Sequence, residues 1–480
     1  MGSFLIWIFL IDVWNSVLFY QKDLGISVIL FIIPLLLLIY YILKSQGQIK
    51  NKNGLLWMIP IVLLSLTYFL FDSSFFSILN IPVIIILFLL MYLYTIKPTF
   101  DIRYIISSLF ILLSKPLDYF SNVLQISSDT ISKTLKISDK SKQKIRSLII
   151  ILPIVIVVLL LLSTADQIFG SIFENMFSIL ENLSLSKILG NLIGRSISVI
   201  ILFLYLSATI YFLLYHFLDI KIKDKKDKLI LDNQAIKLLL IILNIIYIVF
   251  DIIQVKSLIL HQVSMDISYA EYAREGFFQL MFVSLLNLII ILLAKSSENK
   301  NNSKFIIKMS ITMIFLTFII IISAFIRMYM YESQYGYTIL RLLVYITLIT
   351  EIILLIPTIK YILNSKFNIV KYYIIILITV YTAINFINVD YIIASRNINR
   401  YYEKNEIDLI YLENYHADNI PLLVELYNKT YDSDIKNELE WYFDSIDLNI
   451  SGFQEWNFSK LRAIKKINAI EKNIMIKTLK

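Results

Sequence analysis

The stretch that decides the reading is Ile326-Arg327-Met328-Tyr329-Met330-Tyr331-Glu332-Ser333-Gln334-Tyr335-Gly336-Tyr337-Thr338-Ile339-Leu340-Arg341. It reads as a short polar bend between two apolar runs, about 309–327 and 337–359, each long enough to cross a bilayer as a helix. An arginine stands at each end with tyrosines between, and Gly336 can make the bend. Thr338 can cap the helix that follows, which places Arg341 in its first turn. A cation there opposes the helix dipole at a cost of roughly 0.3–1 kcal/mol. Arg341 therefore calls for a carboxylate, or for a snorkelling route to the interface.

Composition puts the rest of the chain in the same class. Of 480 residues 58% are hydrophobic and only 17% charged, and the mean hydropathy is +0.75. Repeated apolar runs on this scale mean an all-α integral membrane protein. The absence of cysteine excludes disulfides and cysteine-ligated metal centres. His216, His261 and His416 are scattered without ligand spacing, so no metal or other cofactor is expected. The net charge of +8 is distributed by loop and does not read as a nucleic-acid signal.

In order, the spans read as 4–20, 26–43, 55–71, 76–95, 147–163, 193–217, 235–255, 277–294, 309–327, 337–359 and 370–388, about 11 transmembrane helices. Residues 1–389 form the transmembrane domain, and 390–480 form a small helical, soluble C-terminal domain. Within 96–146 the apolar piece Tyr104–Leu113 is too short to cross and fits an interfacial helix. The same stretch ends in Lys133, Lys136, Lys140, Lys142, Lys144 and Arg146, a topology signal and a contact for anionic lipid heads. Loops 44–53, 96–146, 219–234, 295–308 and 360–371 are basic, and the alternate loops are not. That alternation places the N-terminus in the cytoplasm and the C-terminal domain outside a cell membrane. The domain reads as helices near 391–403, 405–415, 420–429, 433–445 and 456–472, with Trp441, Trp456, Leu422, Leu423, Leu426 and Ile446 supplying its core.

Ionisable residues gather at the outer ends of the spans. Asp166 follows the fifth span and precedes an amphipathic repeat, Ile168, Phe169, Ile172, Phe173, Met176, Phe177 and Leu180. It serves equally well as the N-cap of that helix. Ser268 and Glu271 have capping-box spacing, so Glu271 and Arg274 share one face, as do Tyr269 and Tyr272. An aromatic belt with a surface ion pair reads the same way. Arg327, Tyr331, Tyr335 and Arg341 complete the outer set. Deeper lie Asp251 and Glu351, with Asn244, Asn287 and Asn385. Carboxylates at such depth are costly unless paired, protonated or wetted.

Several of these segments resemble a family of uncharacterised bacterial membrane proteins, the domain-of-unknown-function 4153/4173 group. The matching pieces are Thr164-Ala165-Asp166-Gln167-Ile168-Phe169, the run Tyr269 to Leu280, and Tyr331 to Arg341 as Tyr-x-x-x-Tyr-Gly-x-Thr-x-Leu-Arg. A further piece is Asn388-Val389-Asp390 with Ala394 and Asn397, followed by Asp408-Leu409 and Tyr411-Leu412. The resemblance implies a polytopic membrane protein and no agreed activity.

Convergence of Arg274, Arg327 and Arg341 with Asp166, Glu271 and the tyrosines suits an anionic small molecule or lipid head group at the outer mouth. The leading expectation is a transporter-like or sensory protein, with no inverted repeat evident. A non-catalytic envelope scaffold, recruiting an extracytoplasmic protein through the C-terminal domain, is the alternative. A lipid-linked transferase is the third reading, although Asp23 stands almost alone in the early outer loops. No phosphate-binding loop, dinucleotide fingerprint or catalytic triad is present, which points away from an enzyme.

Overall fold

Long runs of Leu, Ile and Phe without Gly leave the backbone one way to satisfy its polar groups in hydrocarbon, which is the helix. The computed structural model describes residues 2–97, 102–126 except Ser121 and Leu124, Arg195, Val199, 202–216 except Leu214, 233–259, 277–296, 303–413 and 416–478. The described regular elements are all helical. They are α1 (Gly2–Phe19), α2 (Ile26–Ser45), α3 (Met58–Leu70), α4 (Ser74–Ile96), α5 (Ile102–Ser114), α6 (Leu202–Leu213), α7 (Asn233–Ile259) and α8 (Phe277–Ser296). These are followed by α9 (Ser303–Tyr335), α10 (Ile339–Leu363), α11 (Ile369–Phe386), α12 (Val389–Lys404), α13 (Leu409–Glu413), α14 (His416–Lys429), α15 (Ser433–Ser445) and α16 (Phe458–Thr478).

Among the described residues eight helices are long and apolar enough to cross a membrane. They are α2, α3 with its preceding turn, α4, and α7 to α11. The first expected span forms the shorter apolar helix Leu5–Phe19, and the sixth is described as Leu202–Leu213. The fifth expected span lies outside the described residues, as do the basic cluster 133–146 and the amphipathic repeat 168–180. The expected interfacial piece is α5, which buries Ile105 and Leu112 and exposes Ile106 and Phe110.

Two groups of helices carry the membrane part. In one, α9 packs against α7, α8 and α10 around a core that includes Leu240, Ile291, Met313, Ile320 and Leu348. In the other, α2, α3 and α4 enclose Ile61, Leu64, Leu87 and Met91. The join is α11, which packs on both α10 and α3.

The expected bend at 327–336 is mostly helix. α9 runs for 33 residues, as far as Tyr335. That is about 50 Å at 1.5 Å per residue, longer than the hydrocarbon core. Its last turns carry polar residues, of which Arg327 and Glu332 are buried. The helix ends at Gly336, φ +81°, and the next begins at Ile339.

The helices after α11 lie near the expected positions, but their core is shared with the membrane part. Ile393, Leu412, Leu423, Leu426 and Leu439 pack in one cluster with Phe76 of α4 and Ile384 of α11. Trp441 and Trp456, expected inside, are 69% and 50% exposed. The C-terminal helices sit on the loop between α1 and α2 and on the loop between α3 and α4. The Ile26 N–H donates to the Trp456 carbonyl at 2.9 Å, and Asn457 Nδ2 donates to the Tyr68 and Phe71 carbonyls at 2.9 and 2.7 Å. Lys460 pairs with Asp23 at 3.2 Å and Lys22 with Glu455 at 3.7 Å. Burial raises the Glu455 carboxyl, but hydrogen bonds from Ser451 and the Asp23 N–H, with Lys22 beside it, outweigh this and hold it below its usual range. We call this the capped end of the bundle.

Candidate binding site at the capped end

The turn from α9 to α10 is held from both sides. The Gly336 N–H closes α9 on the Glu332 carbonyl at 2.8 Å, and Thr338 Oγ1 caps α10 by accepting from the Arg341 N–H at 3.4 Å. Asn397 of α12 accepts from the Tyr337 N–H at 2.9 Å and donates to the Tyr337 carbonyl at 2.8 Å. Tyr411 accepts from the Ile339 N–H at 2.9 Å, and Asp408 orders Tyr411 by accepting from its N–H at 2.9 Å. Arg400 donates to the Gln334 carbonyl at 2.7 Å and pairs with Glu406 at 2.6 Å. The backbone groups freed by ending one helix and starting another are thus met by side chains of α12 and α13.

This explains where Arg341 goes. Its guanidinium donates to the Gly336 carbonyl and lies over the Tyr331 ring, 4.3 Å from the centroid. The carbonyl end of α9 carries the partial negative charge of that helix, so it offsets the penalty Arg341 meets at the start of α10. Glu332, buried in the last turn of α9, adds a carboxylate whose electrostatic neighbours include Arg341 and Arg396. Burial and this carboxylate push the Tyr337 phenol up to about 12, so it remains a donor.

Beside Arg341 is a cavity of about 470 Å³ lined by Phe277, Phe278, Met328, Tyr331, Thr338, Ile339, Leu340, Arg341 and Tyr411. Phe277 stacks on Tyr331 at 5.8 Å, and Tyr331 meets Tyr335 at 5.0 Å. Among the described residues the cavity has apolar and aromatic walls, the guanidinium of Arg341, and the hydroxyl-bearing side chains of Thr338, Tyr331 and Tyr411. A second cavity of about 470 Å³, between α2, α4 and α6, has no charged residue among the described residues of its lining.

Of the residues singled out in the sequence, Tyr331 and Arg341 line the cavity, and Tyr335 is exposed beside it. Arg327 is buried deeper along α9, where it donates to Gln254 Oε1 on α7 at 2.9 Å. Asp166, Tyr269, Glu271, Tyr272 and Arg274 lie outside the described residues. Phe277, three positions after Arg274, is in the lining. Glu332, Asn397, Arg400 and Tyr411 were not singled out by charge or spacing. Asn397 and Tyr411 belong to the segments that carry the family resemblance, which was the available signal.

A second polar cluster joins α12, α14 and α16 to the loop between α3 and α4. Asp418 accepts from the Asp72 N–H at 2.7 Å, from Asn388 Nδ2 at 2.8 Å, and from Ser459 Oγ. The Ala417 N–H returns a bond to Asp72 at 3.3 Å. Asn388 also caps α12 by accepting from the Tyr391 N–H at 3.0 Å. Burial, with Asp418 and Asp72 nearby, pushes the Asp390 carboxyl up to about 7, an effect Ser73 partly opposes. The described residues hold no group of three acidic, histidine or cysteine side chains placed to hold a metal ion.

No curated protein and no solved structure matches the chain. The family model described as Domain of unknown function (DUF4153) matches residues 58–426, which span the helices from α3 into α14 and every described residue of the cavity. The chain belongs to the DUF4153 family.

Proposed function

We propose that this multi-pass membrane protein binds an anionic amphiphile, a small molecule or a lipid head group, in the cavity beside Arg341. The observation that carries the reading is a guanidinium set, among the described residues, into walls of apolar and aromatic side chains with a few hydroxyls. Among the described residues the guanidinium donates to the Gly336 carbonyl and lies over the ring of Tyr331. Such a site takes a chain or ring against Phe277, Phe278 and Leu340 and an anionic group against Arg341. Binding without an obvious reaction centre fits a transporter-like or sensory role better than catalysis. The expected result is that phosphatidylglycerol or dodecyl phosphate raises the melting temperature of the purified protein, and phosphatidylcholine does so much less. Arg341→Gln should weaken that binding by about 10–100-fold, the loss of one charge-assisted contact of roughly 1.5–3 kcal/mol. Equal binding by the Arg341→Gln protein overturns the reading.

The capped end is assigned to the outside of the plasma membrane, with the N-terminus cytoplasmic, on the alternation of basic loops. Ser333→Cys and Ser451→Cys are each expected to react with an impermeant thiol reagent in intact cells, and Ser141→Cys only after lysis. The chain has no cysteine of its own to confuse the result. Labelling at position 141 in intact cells reverses the orientation.

A scaffold reading is favoured by one separate feature. Tyr431 and Trp441 of the C-terminal region are 100% and 69% exposed, and aromatic residues of this kind are over-represented where a protein partner docks.

A further inference from the structure

Helix α7 is apolar on every side but one. Leu238, Ile245, Ile252 and Ile253 are exposed, whereas Asn244, Tyr247, Asp251 and Gln254 are buried. Their spacing of three, four and three residues puts them on one stripe, and that stripe faces the polar residues of its neighbours. Asn244 donates to the Met309 carbonyl at 3.1 Å. Tyr247 donates to Asn287 Oδ1 at 2.7 Å, and Asn287 donates to Thr317 at 3.0 Å. Gln254 accepts from Arg327 at 2.9 Å. A polar seam therefore runs through the interior of α7 to α10 towards the capped end.

Two carboxyl groups in this part of the bundle are not provided for. Asp251 is 4% exposed and neither of its oxygens has a hydrogen-bond partner among the described residues. Glu351 of α10 is 1% exposed, with Oε1 unpartnered and Oε2 against the Ser284 hydroxyl. Neither takes part in an ion pair among the described residues. An ionised carboxylate so placed in hydrocarbon costs several kcal/mol. The Ser284 contact admits a protonated Glu351. The Ser284 oxygen is also 2.8 Å from the Met281 carbonyl, and a hydroxyl has one hydrogen to give. With that hydrogen on Met281, the contact with Glu351 needs a hydrogen from the carboxyl.

We propose that Asp251 and Glu351 are proton-binding sites inside the membrane part, the ligand being the proton itself. A metal cation would need several oxygen ligands around each group, and the described residues hold no group of three acidic, histidine or cysteine side chains placed to supply them. Other ionisable groups that the described parts of α7 to α11 bury or half-bury include Lys237, Tyr247, Lys295, Arg327, Tyr331, Glu332, Arg341, Tyr345, Tyr361, Lys371, Tyr373 and Tyr381. Of these, Arg327 is bonded to Gln254, and Lys295 lies in the last turn of α8 at the opposite end from the cap. The proposal is independent of what the Arg341 cavity binds.

The test is modification by dicyclohexylcarbodiimide, which adds to protonated carboxyl groups shielded from water, on the full-length protein in detergent with peptide mass mapping. Both residues should be modified in acidic buffer and the yield should fall severalfold towards alkaline pH. Asp251→Asn and Glu351→Gln should each lose only their own adduct, and these near-isosteric neutral variants should fold. Absence of modification at both sites, or a yield that ignores pH, overturns the proposal.

Discussion

Asp418→Ala is expected to be the most damaging single substitution outside the membrane helices. The side chain is 3% exposed and gathers donors from three distant places: the Asp72 N–H, the Asn388 amide and the Ser459 hydroxyl. Hydrogen bonds to a charged acceptor are worth roughly 1.5–3 kcal/mol each, and buried donors left without a partner carry their own penalty. Part of the loss is recovered because Asp390, which feels the charge of Asp418, is relieved when that charge goes. The net expectation is a loss of about 3–5 kcal/mol, in the range for breaking a buried charged contact. It should be read as a fall of several degrees in melting temperature and as faster proteolysis of 390–480. Asp418→Asn, which keeps one acceptor oxygen, should lose roughly half as much. A melting temperature within a degree of the parent for Asp418→Ala would mean that the C-terminal helices are held by the apolar cluster alone.

The membrane helices were legible because hydrocarbon imposes one rule on every residue of a span, and runs such as Ile26–Leu43 obey it closely. What was less legible depended on tertiary packing. α9 overran its apolar run of 309–327 as far as Tyr335, with Met328 and Glu332 buried in the extension; nothing in the polarity of 328–335 shows that. Trp441 and Trp456 read as core by size alone, while Leu423 and Leu426 are fully buried and the tryptophans are not. In the site, Arg341 was visible as an anomaly, a cation at the wrong end of a helix. The remedy was not visible, since the Gly336 carbonyl is a backbone group and Glu332 reads as an ordinary surface acid. Asn397 reaches back 60 residues to Tyr337, and Ser459 reaches 389 residues to the Leu70 carbonyl. A polar residue on an amphipathic helix looks the same in sequence whether it meets water or such a partner.

Gly336→Ala is the second substitution with a large expected effect, and it connects stability to the cavity. Gly336 ends α9 at φ +81°, a region that costs an L-residue with a Cβ roughly 1–2 kcal/mol. Space is the second difficulty, because a Cβ would lie 2.6 Å from Asn397 Oδ1 and 3.5 Å from Arg400 Nη1. Asn397 would have to withdraw, and with it the two bonds to the Tyr337 backbone, each worth about 0.5–1.5 kcal/mol. The sum is about 2–5 kcal/mol. If crowding against Asn397 is a real part of that cost, adding Asn397→Ala should make the double variant less destabilised than the two single losses predict. What remains is the strain at φ +81°, which Asn397→Ala leaves untouched. Arg341 donates to the Gly336 carbonyl, so a shifted turn also moves the guanidinium, and anion binding should weaken in Gly336→Ala although no cavity side chain has changed. Strict additivity of the two losses would show that Asn397 and Gly336 act independently, and unaltered anion binding would show that the turn does not position Arg341.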